Sequence, residues 1–192
     1  MKKVLALAAM AALTSAASAD VYNASYNVDS IDSGQVVLDT FALGAVASID
    51  SIAIDIAHTW GGDLEIVLTA PNADTFILMF DDVDQGGSGN FDMGLAAGSG
   101  ALANAATYTF VQSGGLTVFD DSSGFAPGGT YDANSWSTGG WAAGDWTLSI
   151  FDDAGGDVTS IGKVSIAYTV PAPGAIALLG IAGMVRGRRR RA

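Results

Sequence analysis

Residues 51–68 read SIAIDIAHTWGGDLEIVL. Ile52, Ile54 and Ile56 recur at every second position with Ala53, Asp55 and Ala57 between them, and Leu64, Ile66 and Leu68 repeat the rhythm after Gly61-Gly62. A period of two over such lengths marks strands with one buried and one solvated face. The stretch therefore predicts two antiparallel strands joined as a hairpin, with the chain's single histidine, His58, at their junction beside Thr59, Trp60 and Asp63. His58 keeps the phase of the isoleucines, so its ring is expected to point inward at a strand end.

The same rhythm returns on both sides of this centre. Residues 21–28 and 36–43 read as two leading strands, parted by the turn-forming residues 29–34. Pro71-Asn72-Ala73-Asp74 is turn chemistry, and residues 75–80, TFILMF, predict a strand covered on both faces. Residues 81–100, dense in glycine and aspartate, form a loop of the length that tends to carry function. Residues 107–111, 116–119, 146–151 and 163–170 supply the remaining strands. About eight short strands without a helical period predict an all-β protein, an antiparallel jelly-roll-like β-sandwich.

Composition narrows the functional classes. The 192 residues, 49% hydrophobic with 25 glycines, suit one turn-rich β domain. No cysteine is present, which removes disulfides, thiolate metal sites and a cysteine nucleophile. The net charge of −12 conceals an asymmetry: Lys2 and Lys3 open the chain, Arg186, Arg188, Arg189, Arg190 and Arg191 close it, and Lys163 is the only base between. All 20 acids lie between Asp20 and Asp157, so the middle carries one base against 20 acids, a balance of −19. Such a surface repels nucleic acid and anionic lipid and favours cations.

The two ends read as addresses rather than fold. Residues 1–19, MKKVLALAAMAALTSAASA, place two lysines before an apolar run and a small-residue site, the order of a secretory signal peptide cut after Ala19. Residues 20–170 are then the domain. Residues 171–192 place Pro171 and Pro173 before an apolar stretch expected to be a hydrophobic helix, followed by the arginine cluster. Those arginines would hold the tail on the cytoplasmic side of a membrane. This tail resembles the PEP-CTERM sorting signals of Gram-negative bacteria, in a VPAPG variant with Ala172 at the usual glutamate. The resemblance implies export by the secretion machinery, transient anchoring in the inner membrane through the tail alone, recognition by an exosortase, and a final place at the cell surface or outside the cell. An ordinary anchor that is never cut is the other reading.

The central pattern, I-x-I-x-I-x-H-T-W-x-G-D-L-x-I-x-L-x-x-P, continues in residues 144–153, GDWTLSIFDD, then Gly156-Asp157 and a closing strand. It resembles the P domain (P/Homo B domain) that follows the catalytic domain of subtilisin-like proprotein convertases. In that resemblance Trp60 and Trp146 occupy core positions, and the convertase triad belongs to a catalytic domain that this sequence does not contain. Two departures are visible. Residues 71–75, PNADT, lack the glycine of the family's P-x-G-T turn, and Lys163-Val164-Ser165 stand where a tryptophan is common.

Three kinds of residue invite a functional reading. His58 suits a general base, but an inward imidazole more simply satisfies its nitrogens within the fold, and no G-x-S-x-G, H-E-x-x-H or Walker-type pattern accompanies it. Asp81, Asp82, Asp84 and Asp92 fall in one glycine-rich loop, while Asp145, Asp152, Asp153 and Asp157 bracket a second and Asp63 lies in the G-D-L turn. Closely spaced aspartates in glycine-rich loops can supply the six to eight oxygens that Ca2+ takes. The set Asp63, Asp81, Asp82, Asp84, Asp92, Asp152, Asp153 and Asp157 is therefore the expected metal site, with Ca2+ as the stabilising ion; a solvated acidic surface is the alternative. Trp136 and Trp141, in a Gly/Ser-rich stretch, could stack a polysaccharide. Together these point to a non-catalytic surface or matrix module with a structural or adhesive role. The alternatives are an accessory domain for a separately encoded subtilisin-like serine peptidase, or a carbohydrate-binding jelly roll.

Overall fold

The computed structural model describes residues 17–79, 94–95, 100–115 and 125–172. The expected signal peptide, most of the expected tail helix, the expected strand at 116–119, and Asp81, Asp82, Asp84 and Asp92 lie outside the described residues. Ala19–Val170 forms one compact unit. It is all β, built from two sheets whose apolar faces meet.

One sheet runs β2 (Gly34–Leu43), β10 (Gly144–Asp152), β4 (Leu64–Thr69), β5 (Thr75–Met79), antiparallel throughout. The other contains β1 (Ser18–Ile31), β11 (Thr159–Val170), β3 (Ser48–His58) and β7 (Ala106–Val111), with β9 (Gly129–Asp132) beyond β7. The short strands β6 (Gly94–Leu95) and β8 (Phe125–Ala126) attach at the His58 end of β3. Two edge pairings depart from the antiparallel expectation: β9 lies parallel to β7, and β8 parallel to β6. In each case a long connection separates the partners, and a strand reached by crossover can enter parallel where a tight hairpin cannot.

The alternation in the sequence maps directly onto the core. Ile52, Ile54 and Ile56 of β3 face Leu64, Ile66 and Leu68 of β4 and Trp146, Leu148 and Ile150 of β10 from the opposite layer, and all nine are fully buried. Each contributes about 1.5–3 kcal/mol by leaving water. At the far end Phe76, Trp136, Trp141 and Trp146 form an aromatic cluster with ring centroids 5.1 to 6.2 Å apart. Along one flank Tyr22 of β1 stacks on Phe41 of β2 at 4.0 Å, and the Tyr26 hydroxyl donates to Asp39 at 2.8 Å, tying the edges of the two sheets.

The hairpin expected at 51–68 is not what forms. β3 and β4 belong to different sheets, and the short 3-10 turn Gly61–Asp63 carries the chain across the gap between them. Period two reports which face of a strand is buried, and that is the same whether the next strand pairs beside it or packs opposite. β5 is the edge of its sheet, yet Ile77 exchanges two backbone hydrogen bonds with Ser135, at 3.0 and 2.9 Å, so a passing segment covers that edge. In the turn before β5, Ala73 takes φ = 69°, a left-handed conformation that glycine adopts freely.

Candidate metal centre between the two crossings

Both places where the chain leaves one sheet for the other near His58 lie at the same end of the sandwich. β3 ends at His58 and hands over through Gly61–Asp63 to β4; β10 ends at Asp152 and hands over through 153–158 to β11. Register stacks the two crossings, because Thr159 pairs with His58 in one sheet and Asp152 pairs with Leu64 in the other. The loops are then laced together. Thr59 Oγ1 donates to Asp157 Oδ1 at 2.6 Å and accepts from the Val158 amide at 3.2 Å, while the Asp153 amide donates to the Asp63 carbonyl at 3.0 Å.

Within this end His58 is fully buried. Its Nδ1 lies 2.9 Å from the Val158 carbonyl oxygen, which can only accept, so Nδ1 carries a hydrogen. The Thr159 hydroxyl gives its own hydrogen to Asp152 Oδ2 at 2.6 Å, and its oxygen sits 3.4 Å from the same Nδ1. Nε2 of His58 and Oδ1 of Asp152 are buried with no hydrogen-bond partner. His58, Asp63 and Asp152 each offer a ligand atom within 4.8 Å of the other two, and all three residues are buried.

The expected metal residues thus divide. Asp63 and Asp152 come together, not in solvated loops but in the interior, joined by the histidine. Asp153 is exposed and Asp157 half-buried, and neither belongs to the converging group. Asp81, Asp82, Asp84 and Asp92 lie outside the described residues. The inward phase predicted for His58 holds. Asp152 continues the inward series Trp146, Leu148, Ile150, and a carboxylate on a core phase needs a partner.

The tryptophans also divide. Trp146 is fully buried, whereas Trp60 is 38% exposed in the crossing loop and is not a core residue. Trp141 is almost wholly buried against Phe76 and Trp146, with Nε1 donating to Asp74 at 2.9 Å, and Trp136 meets Phe76 edge-on. A cleft of about 330 Å³ opens beside them, lined by Ser48, Gln112, Trp136, Thr138 and Trp141. The Trp141 ring is spent on the core, while Trp136 is half-buried and lines the cleft.

A third group ties β1 to the crossing end. Asp29 accepts from the Leu102 amide at 3.0 Å and from the Ser160 and Ser30 hydroxyls, and these donors, the amide first, hold its carboxyl below the usual range.

No protein-family model and no curated protein matches the sequence. Among solved structures the chain is similar to the serine protease of Aeromonas sobria, at a TM-score of 0.39 and 12% identity, covering 80% of this chain and 26% of that one. It is also similar to the complex of that protease with its chaperone, at 0.38 and 11% with the same coverage. The chain spans about a quarter of the length of these structures, and at such scores neither similarity assigns it an activity or a partner.

Proposed function

We propose that the chain is a non-catalytic module, exported and held at the cell surface or in the extracellular matrix, where its rigid sandwich serves a structural or adhesive role. One observation carries this reading: the chain's only histidine is sealed between the sheets with Nδ1 committed to a backbone carbonyl, out of reach of any substrate. General-base catalysis needs hydrogen-bonding reach to the proton it abstracts. The strongly acidic middle of the chain suits an extracellular, cation-rich setting. Export and exosortase-type delivery rest on residues 1–19 and 171–192 as read from the sequence.

The test is an assay of the full chain against casein and fluorogenic peptides, alongside localisation of the tagged protein in cells with and without the exosortase. The reading expects no turnover above buffer and surface localisation that depends on the exosortase. Turnover abolished by His58→Ala, or a protein retained in the cytoplasm, would refute it.

A second reading is an accessory role for a separately encoded subtilisin-like peptidase. It is favoured by the way the two halves of the P-domain-like pattern, Gly61–Asp63 and Gly144–Asp152, meet at one end of the sandwich. Co-purification of such a peptidase from the producing cells would support it, and its absence from cross-linked extracts would remove it.

A further inference from the structure

We propose that His58, Asp63 and Asp152 bind a single divalent cation of the zinc class, which clamps the two sheets together. Four observations converge. His58 at the end of β3, Asp63 in the 3-10 turn before β4 and Asp152 at the end of β10 each bring a ligand atom to within 4.8 Å of the others, all of them buried. Two of these residues each carry a buried polar atom with no hydrogen-bond partner, His58 Nε2 and Asp152 Oδ1, and such an atom costs about 1–3 kcal/mol.

Charge makes the same demand. The fully buried carboxylate of Asp152 costs several kcal/mol unless neutralised, and the one lysine among the described residues, Lys163, is exposed. Finally, the histidine is already prepared as a ligand. Its Nδ1–H is held by the Val158 carbonyl, the arrangement that fixes the tautomer and ring angle of metal-binding imidazoles and leaves the Nε2 lone pair free for a metal. Thr159 does the same for Asp152 by holding Oδ2 and leaving Oδ1.

The donor set selects the class of ion. Calcium takes six to eight oxygens from pliant loops, whereas one imidazole nitrogen and two buried carboxylates suit zinc or a similar transition ion. Zinc bonds of about 2.0–2.2 Å put tetrahedral ligands about 3.3–3.6 Å apart, so closing on the ion from within 4.8 Å needs side-chain shifts of no more than about 1 Å. A bound ion would join β3, the start of β4 and the end of β10, which is a structural role distinct from any catalysis.

The experiment uses the full chain without an affinity tag. It is purified without chelator, passed through gel filtration and analysed for metal, then stripped and titrated separately with Zn2+, Co2+ and Ca2+ while its thermal midpoint is followed. The proposal expects about one retained equivalent of a transition metal. It expects a midpoint rise of about 5–10 °C at a hundredfold excess of Zn2+ over its Kd, no rise with the same concentration of Ca2+, and intense visible bands of low-coordinate Co2+. His58→Gln and Asp152→Asn should lose the zinc response. The cobalt spectrum of the unaltered chain decides the matter if those variants do not fold. No retained metal together with no response to Zn2+ or Co2+, weak bands of six-coordinate aquated cobalt, or a response to Ca2+ alone would overturn it.

Discussion

Trp141 and Trp146 allow the energy of one indole N–H to be isolated, because replacing either by phenylalanine removes the same ring from the same cluster. Both side chains are buried, their centroids lie 5.4 Å apart, and both pack against Phe76. The volume lost is about 40 Å³, which at about 24 cal/mol per Å³ costs about 1 kcal/mol in each case. The two differ in the hydrogen. Trp141 Nε1 donates to the Asp74 carboxylate, a bond to a charged group that contributes about 1.5–3 kcal/mol, reduced because half-buried Asp74 can recover water. Trp146 Nε1 is buried without a partner, so deleting it removes a penalty of about 1–3 kcal/mol. Trp141→Phe should therefore destabilise by about 2–3 kcal/mol, and Trp146→Phe by less than about 1 kcal/mol. In a unit of this size the gap corresponds to about 4–8 °C in thermal midpoint. Urea unfolding of the two variants beside the parent measures it. Equal losses, or a larger loss for Trp146→Phe, would refute the assignment of paired and unpaired indoles.

Three further outcomes follow from named contacts. Ala73→Gly should stabilise by about 0.5–1 kcal/mol, since relief of a left-handed alanine, about 1–2 kcal/mol, exceeds the extra backbone entropy of glycine; a lower urea midpoint would contradict this. Burial, then the hydrogen bond and charge of Asp39, hold the Tyr26 hydroxyl well above its ordinary value of 10.0. The neutral phenol is thus favoured in the folded state, its stabilisation is complete below pH about 10 and falls as pH rises further, so Tyr26→Phe should flatten the fall of thermal midpoint expected as pH rises from about 9 to 11. Asp29 has the opposite sign: its depressed value gives stability present above the ordinary 3.8 and lost as pH falls through the folded value. Asp29→Asn should accordingly show a shallower decline of thermal midpoint below pH 4 than the parent, and an unchanged slope would count against the bonds drawn to Leu102 and Ser160.

The strands were legible because burial on one face writes period two into the chain: Ile52, Ile54 and Ile56, then Leu64, Ile66 and Leu68, then Trp146, Leu148 and Ile150 all point where the alternation places them. Which sheet each strand joins was not legible, since β3 and β4 look alike whether they pair or oppose. β9, four residues long and parallel to its neighbour, offers too short a pattern to read and is reached by a crossover that leaves no local mark. At the candidate site the inward phase of His58 was readable. Its meeting with Asp63 and Asp152 was not, because it depends on the register that sets Thr159 against His58 and Asp152 against Leu64 across two sheets. Trp60, placed in the core by the P-domain resemblance, lies beyond the end of β3 where the chain is already turning, so its ring is left partly in solvent.

The central claim is that two sheet-to-sheet crossings are pinned by one imidazole and two carboxylates around a cation. X-ray absorption at the zinc edge, recorded on the zinc-loaded full chain after gel filtration, tests it most directly. The account predicts nitrogen and oxygen donors at about 2.0–2.1 Å with the outer-shell signal of a single imidazole, lost in His58→Gln. A shell of water oxygens without imidazole scattering, or zinc that washes away, would contradict it.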